Sequence, residues 1–134
     1  MAEIKISELS IGDWVYQKMN DDAYQVQWIE REMVGLIKHT GTEEDGSIRL
    51  TAVPLSFIEP IPLTPEILEK NGFRKNGNKW YTPELFTLER WGDNWSIVIA
   101  CSCGEYACEV CTIKYVHQLQ HALRLAGVEK KIEL

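Results

Sequence analysis

The sequence predicts an α+β fold in which short antiparallel strands fill most of the chain and two helices lie in its second half. Runs of alternating apolar and polar residues, separated by polar turn clusters, occupy residues 1–60. Helix signals follow at 64–73 and at 115–126. With 134 residues the chain suits one domain with its own core. We therefore expect a single domain, 1–134, with a β part at 1–60 and a mixed part at 61–134.

The first part contains four strand patterns. Ile11–Tyr16 begins the first strand, and a period of two in the second puts Tyr24, Val26 and Trp28 on one face. Residues 33–38 and 47–53 form two more, joined by a polar loop at 41–46. Several short strands with polar turns, entered through Gly12-Asp13, predict an SH3-like, strongly bent antiparallel sheet or partial barrel.

The clearest local signal is a short helix over 65–71. Thr64 is a good N-cap, and Pro65 suits the first helical position because its missing N–H has no partner there in any case. Gly72 supplies the left-handed residue that ends the helix, and Phe73 can then pack back on Leu68. The connector before it, 59–63, is stiffened by two prolines that cannot join a central ladder.

An antiparallel meander and a second helix complete the chain. Asn76-Gly77-Asn78 and Gly92-Asp93-Asn94 are hairpin turns, and residues 111–115 return as a further strand. Gly127 ends the helix at 115–126, and 129–134 forms a short charged tail. The core stripe of this helix is predicted to comprise Val116, Leu119, Leu123 and Ala126.

Charge and composition narrow the function classes. Twenty acidic residues against 14 basic ones give a net charge of −6, and no basic cluster is longer than Lys130-Lys131. Binding to nucleic acid is therefore not expected, because a basic stripe is needed to displace counterions. No apolar run suits a membrane span or a signal peptide, so we expect a cytoplasmic protein with reduced cysteines.

Four cysteines lie within eleven residues at Cys101, Cys103, Cys108 and Cys111. A tight hairpin could gather the four thiolates around a tetrahedral structural Zn²⁺, which would leave no open position for catalysis. The four-residue spacer between the pairs is shorter than usual in zinc fingers, and the alternative is a β-hairpin that uses cysteine as a small apolar residue. Apart from this structural zinc, no cofactor is expected.

His117 and His121 stand four residues apart on the last helix and so point the same way. Gln118 replaces the glutamate that a zinc-protease motif needs as general base. The helical projection places both imidazoles near the solvent side, so two surface histidines are the favoured interpretation.

Trp80, Trp91 and Trp95 flank predicted tight turns. Clustered on one sheet face outside the core, they would form a partner-binding patch, because aromatic residues anchor interfaces. Pointing inward, they would be the core of a small sheet.

Three stretches, Leu9–Tyr16, Ile58–Thr64 with Gly72-Phe73, and Ile113–Gln120, together resemble a family of small uncharacterised proteins of Bacteroides-type gut bacteria and their prophages or mobile elements. The resemblance implies a fold and a genomic setting, and no activity, substrate or cofactor. Here the last stretch continues as His121-Ala122-Leu123-Arg124, where the family has an aromatic-rich helix. The cysteine-rich segment is not part of the family pattern.

No nucleophile elbow, activated-thiol helix start or phosphate-binding glycine loop is present in the sequence. We therefore expect a non-enzymatic accessory or binding protein, related to phage or mobile elements, that acts through protein contacts or self-association. The alternative is a small zinc-stabilised module whose cysteine hairpin engages a protein or nucleic-acid partner.

Overall fold

The computed structural model describes residues 4–19, 22–39, 48–82, 86–100, 107–128 and 130–134, with positions 39, 48–49, 99–100 and 107–111 described by their backbone. The chain divides into two compact units, Met1–Ile61 and Pro62–Leu134, and the predicted division at residue 60 lies one residue from this boundary. Each unit contains a five-stranded antiparallel sheet, and both helices lie in the second. The α+β class is confirmed.

The sheet of the first unit has the strand order β4-β3-β2-β1-β5. In the described pairings β4 and β5 lie at opposite edges, so the sheet is not closed into a barrel. Two 3₁₀ turns, Ile6–Glu8 and Leu55–Phe57, accompany it. The strands are β1 Trp14–Gln17, β2 Asp22–Glu30, β3 Met33–His39, β4 Ile48–Pro54 and β5 Ile58–Pro60. Pro60 behaves as predicted, because it lies in an edge strand.

The Gly12-Asp13 turn fixes the start of β1 against β2. Gly12 has φ of 97° and donates its N–H to the Val26 carbonyl at 2.7 Å. The Val26 N–H in turn donates to the Asp13 carbonyl at 2.9 Å, and the buried Asp13 carboxylate accepts from the Ser10 N–H at 2.8 Å. The glycine is needed because side chains rarely adopt this φ.

A β-bulge in β2 changes the predicted face of Trp28. The register runs from Val26 opposite Leu36 to Trp28 opposite Gly35, so Gln27 is an extra residue on β2. Beyond a bulge the alternation of faces is reset. Tyr24 and Val26 are buried as predicted, but the placement of Trp28 on their face was wrong: it lies on the outer face with Gly35.

The second unit is the predicted meander between two helices, with strand order β10-β9-β8-β7-β6. Gly77 and Gly92, with φ of 66° and 61°, each take the first central position of a two-residue hairpin loop, as in a type II′ turn. β10 begins before the predicted residue 111. The elements are α1 Pro65–Lys70, β6 Arg74–Asn76, β7 Lys79–Tyr81, β8 Thr87–Trp91, β9 Asn94–Ala100, β10 Ala107–Ile113 and α2 Val116–Leu125.

Thr64 caps α1, and both helices are closed by the predicted glycines, although each ends one residue before the predicted position. The Ile67 N–H donates to Thr64 Oγ1 at 3.3 Å, and the Phe73 N–H donates to the Leu68 carbonyl at 3.0 Å beyond Gly72. The same pattern closes α2, where the Val128 N–H donates to the Leu123 carbonyl at 2.9 Å. These are Schellman endings.

The buried stripe of α2 contains Val116, Leu119 and Leu123, which confirms three of its four predicted members. Ala126 is exposed, because it is the C-cap residue and the helix has already ended at Leu125. At the other end, the Gln118 side-chain carbonyl accepts from the backbone N–H groups of Lys114 and Tyr115, at 2.7 and 3.0 Å. Gln118 is therefore a capping residue.

The C-terminal segment is anchored, which corrects its prediction as a charged tail. Ile132 is buried, and Asn71 just beyond α1 pairs with Glu133. The Asn71 side chain accepts from the Glu133 N–H at 2.7 Å and donates to the Glu133 carbonyl at 2.7 Å. It also donates to the Ile67 carbonyl at 2.7 Å. One buried amide thus joins the end of α1 to residues 130–134.

We predict that Asn71→Ala lowers the free energy of unfolding by about 1–3 kcal/mol, because it removes three hydrogen bonds of a buried amide. Urea denaturation measures the loss, and amide hydrogen exchange should accelerate at Glu133. The matched control is Asn78→Ala, an exposed side chain with one 3.3 Å bond to Glu89, which should change stability by less than about 0.5 kcal/mol. Equal losses in the two variants would contradict the anchoring role of Asn71.

Candidate functional site

The outer face of strands β2, β3 and β4 in the first unit carries a row of apolar side chains. Cross-strand pairing places Trp28 opposite Gly35, Gly35 opposite Ala52, and Ile37 opposite Leu50. Residues paired across antiparallel strands share one face, so these side chains are neighbours. We call this surface the outer strip, and its members are Trp28, Met33, Ile37, Leu50 and Ala52.

The outer strip is open to solvent although it is apolar. Leu50 is 64% exposed, Trp28 40% and Met33 39%. A shallow groove of about 230 Å³ runs between Trp28 and Leu50, with Thr51 and Ala52 along it. Single exposed apolar residues are normal on protein surfaces, but a contiguous row across three strands is typical of an interaction site.

Gly35 positions the indole of Trp28. A Cβ at position 35 would lie 2.1 Å from Trp28 Nε1 and 2.2 Å from its Cε2, so the ring covers the glycine backbone directly. The absence of a side chain on β3 therefore lets the indole lie flat across the sheet. The bulge at Gln27 and the glycine at 35 act together: the first turns Trp28 outward and the second makes room for it.

Exposed carboxylates lie at one end of the outer strip. Exposed Glu30 and Glu32 flank Met33 at one end. At the other end the register places Lys38 opposite Arg49, but this pair belongs to the core face with Leu36, where Lys38 bonds the Asp22 carboxylate. In the described pairings β4 has β3 on one side and no strand on the other. The strip therefore adjoins a sheet edge whose backbone groups can pair with another chain.

Two of the three tryptophans predicted to bind a partner lie in the core of the second unit. Trp80 is 2% exposed and Trp95 1%, and their rings pack edge to face with centroids 6.4 Å apart. Trp95 Nε1 also donates to the Leu63 carbonyl at 3.3 Å. Buried indoles cannot contact a partner directly, so for these two the structure supports the core interpretation.

Trp91 is separate from that pair. It is 60% exposed and lies at the end of β8, opposite Asn94 and next to the Gly92 turn. Its neighbour Arg90 pairs with Trp95, so Trp91 belongs to the opposite face of the sheet. A partner contact through Trp91 stays a prediction, without the cluster of three that the sequence suggested.

The histidines of α2 are not both at the surface. His117 is 2% exposed and stacks on Tyr115 with ring centroids 6.0 Å apart, whereas His121 is half-buried. The two imidazoles meet edge to face at 5.9 Å. The helical projection missed this because an aromatic neighbour just before the helix, Tyr115, covers His117. Within the described residues, no group of three or more metal-ligating side chains converges.

The cysteine segment falls largely outside the described residues. Cys101 and Cys103 lie outside them, and Cys108 and Cys111 are described by their backbone in β10. The register places Cys108 opposite Ile99 and Cys111 opposite Ile97, with a bulge between Glu109 and Cys111. The zinc prediction therefore stays a prediction.

The outer strip was not among the sequence-predicted sites. The sequence signals that could have indicated it are a tryptophan and a glycine in adjacent predicted strands, Trp28 and Gly35, and a leucine, Leu50, in the strand that follows. Periodicity alone assigned Trp28 to the core face.

No helix in the described ranges has the length and apolar character needed to cross a membrane.

Comparison of the chain with protein-family models, curated protein sequences and solved structures finds no match.

We predict that Gly35→Ala destabilises the protein by about 1–3 kcal/mol, because the new methyl group overlaps the indole of Trp28. Urea denaturation measures the change, and the tryptophan emission should shift as the ring leaves the sheet. In the Trp28→Ala background the same substitution should be neutral or stabilise by up to about 1 kcal/mol, since alanine is less flexible than glycine when unfolded. A similar loss in both backgrounds would show that Trp28 does not lie over Gly35.

Proposed function

We propose that this protein is a non-enzymatic binding protein that acts through protein contacts, and that the outer strip is its contact surface. The observation that carries the proposal is the contiguous exposure of Trp28, Met33 and Leu50 on one sheet face. Tryptophan is enriched among residues that dominate binding energy, and burying a leucine or methionine contributes about 1.5–3 kcal/mol.

The occupant we propose for this surface is a second copy of the chain. Two copies of β4 could pair antiparallel at their open edges, which would join two outer strips into one apolar face. A two-fold axis would place the Glu30 carboxylates of the two copies at opposite ends of the joined face. The antiparallel arrangement therefore separates these like charges, which a parallel one would bring to the same end.

The cellular location and genomic origin that we propose follow from the sequence. We assign the protein to the cytoplasm and to the accessory proteins of phages or mobile elements, in keeping with the family resemblance. The strand order β4-β3-β2-β1-β5, with a 3₁₀ turn between β4 and β5, supports an SH3-like arrangement of the first unit.

Self-association through the outer strip predicts that Leu50→Glu converts a dimer into a monomer. The carboxylate would meet its symmetry mate near the two-fold axis in apolar surroundings, so dimerisation should weaken at least about tenfold. Sedimentation velocity over a concentration series measures the dissociation constant.

The matched control is Leu125→Glu, which makes the same change at a leucine that is 90% exposed on α2 of the second unit. This variant should associate as the wild type does. A wild type that remains monomeric up to about 1 mM, or equal loss of association in both variants, would contradict the proposed contact.

A zinc-stabilised module that engages a protein or nucleic-acid partner is the second candidate. It is favoured by four cysteines within eleven residues, two of them at paired positions of β10 next to β9. If they share a Zn²⁺, the ion closes the β9–β10 hairpin and adds to folding stability, with all four ligands from the protein.

This candidate predicts about one zinc per chain in protein purified without a metal-affinity tag, measured by elemental mass spectrometry, with four thiols protected until the metal is chelated. Cys103→Ser with Cys108→Ser should abolish the metal and lower the melting temperature. Metal-free protein whose thiols all titrate on unfolding, with little effect of the double substitution, would rule the module out.

A further inference from the structure

A second feature, in the other unit, carries an independent inference. A shallow pocket of about 360 Å³ opens where the two hairpin tips of the second unit's sheet lie side by side, against the start of α1. Its charged wall consists of Lys75 and Arg90, and its remaining lining comes from Pro65, Asn78, Trp80 and the two turn glycines, Gly77 and Gly92. The pocket lies on the face of the sheet that carries the Trp80–Trp95 pair, at its solvent edge.

Both charged groups of the pocket are cations. Lys75 pairs with Trp80 across β6 and β7, and its Nζ lies 5.6 Å from the centre of the Trp80 ring. Arg90 pairs with Trp95 across β8 and β9, and its guanidinium carbon lies 5.4 Å from that ring. The two tryptophan rings attract the positive groups of Lys75 and Arg90, and both residues line the pocket.

The Arg90 head is held in place from the other side as well. Its Nε donates to the Gly92 carbonyl at 3.1 Å, which ties the guanidinium to the hairpin turn. A guanidinium has five N–H donors, so a bond at Nε leaves the terminal nitrogens able to form a fork toward an anion. Arg90 is therefore a preorganised donor, and Lys75 adds a mobile point charge.

The carboxylate of Glu89 is directed away from the pocket. Glu89 alternates with Arg90 along β8, so it lies on the other face of the sheet, where it accepts from the Asn78 amide at 3.3 Å. The ion pairs Lys18–Glu59 and Lys38–Asp22 both lie in the first unit. In a chain with a net charge of −6, this pocket is a local concentration of positive charge.

We propose that this pocket binds an oxyanion, a phosphate or carboxylate group, between Lys75 Nζ and the Arg90 guanidinium. Arginine matches such a group bidentately, and lysine neutralises the remaining charge. The pocket is open and of modest volume, so it suits the anionic head of a small molecule and not a deeply enclosed ligand. This site does not depend on the outer strip, and either can fail without the other.

The test is a titration of the full chain with inorganic phosphate and, separately, with acetate, at constant ionic strength maintained with chloride. Two-dimensional ¹H–¹⁵N spectra should show saturable shifts of the Trp80 and Trp95 indole N–H signals in the millimolar range. The two ligands distinguish the source: stronger binding of phosphate indicates a tetrahedral dianion, and stronger binding of acetate a carboxylate.

Lys75→Gln with Arg90→Gln should weaken the affinity at least tenfold. The matched control is Lys79→Gln, which removes the same charge from the opposite face of the same hairpin and should leave the affinity unchanged. Arg90→Lys keeps the charge but loses the fork, so it should bind with intermediate affinity, and its melting temperature shows whether the fold persists. Linear, unsaturable shifts with both anions, or equal weakening by the Lys79 variant, would overturn the proposal.

Discussion

In the first unit, the extra residue at Gln27 determines which side chains face the core and which face water. Before the bulge, Tyr24 and Val26 pack inward; after it, Ile29 does so, and Trp28 and Glu30 face outward. Because side chains in a strand alternate strictly, a bulge is the local device that can reset the pattern while pairing continues. The place of Trp28 in the outer strip therefore depends on one unpaired position, and Gly35 on the neighbouring strand provides the space that the displaced indole needs.

The second unit is organised by features that act within a few residues. Two Schellman endings, an N-cap at Thr64 and two glycine-led hairpin turns fix the ends of its elements, and each depends on an immediate neighbour in sequence. The strands follow one another as a simple meander between these fixed ends. Local signals of this kind determine their own geometry, which is why the order and type of elements after residue 60 were predictable from the sequence.

What the sequence did not reveal depends on contacts between distant residues. Asn71 is followed by a helix-ending glycine, so its sequence context explains its backbone but not its bonds to Glu133, 62 residues further on. His117 was placed at the surface because a helical projection cannot show Tyr115 covering it. Trp28 was assigned to the core because one inserted residue is invisible to a period of two. In each case the missing information is the position of a second segment, which no local pattern encodes.

The contrast among the tryptophans shows how similar turn contexts lead to different roles. Trp95 sits directly across from Arg90 in the strand ladder, and Trp80 across from Lys75, so the charged group of a cation lies over each indole. Trp28 has a glycine opposite it, and its outer ring face stays open. The residue across the ladder therefore sets what one face of each indole meets: a positive group at Trp80 and Trp95, and bare backbone at Trp28. A lysine or arginine partner covers the ring and places positive charge at the edge of the sheet. A glycine partner lets the ring lie on the strand backbone and leaves the other ring face exposed to another molecule.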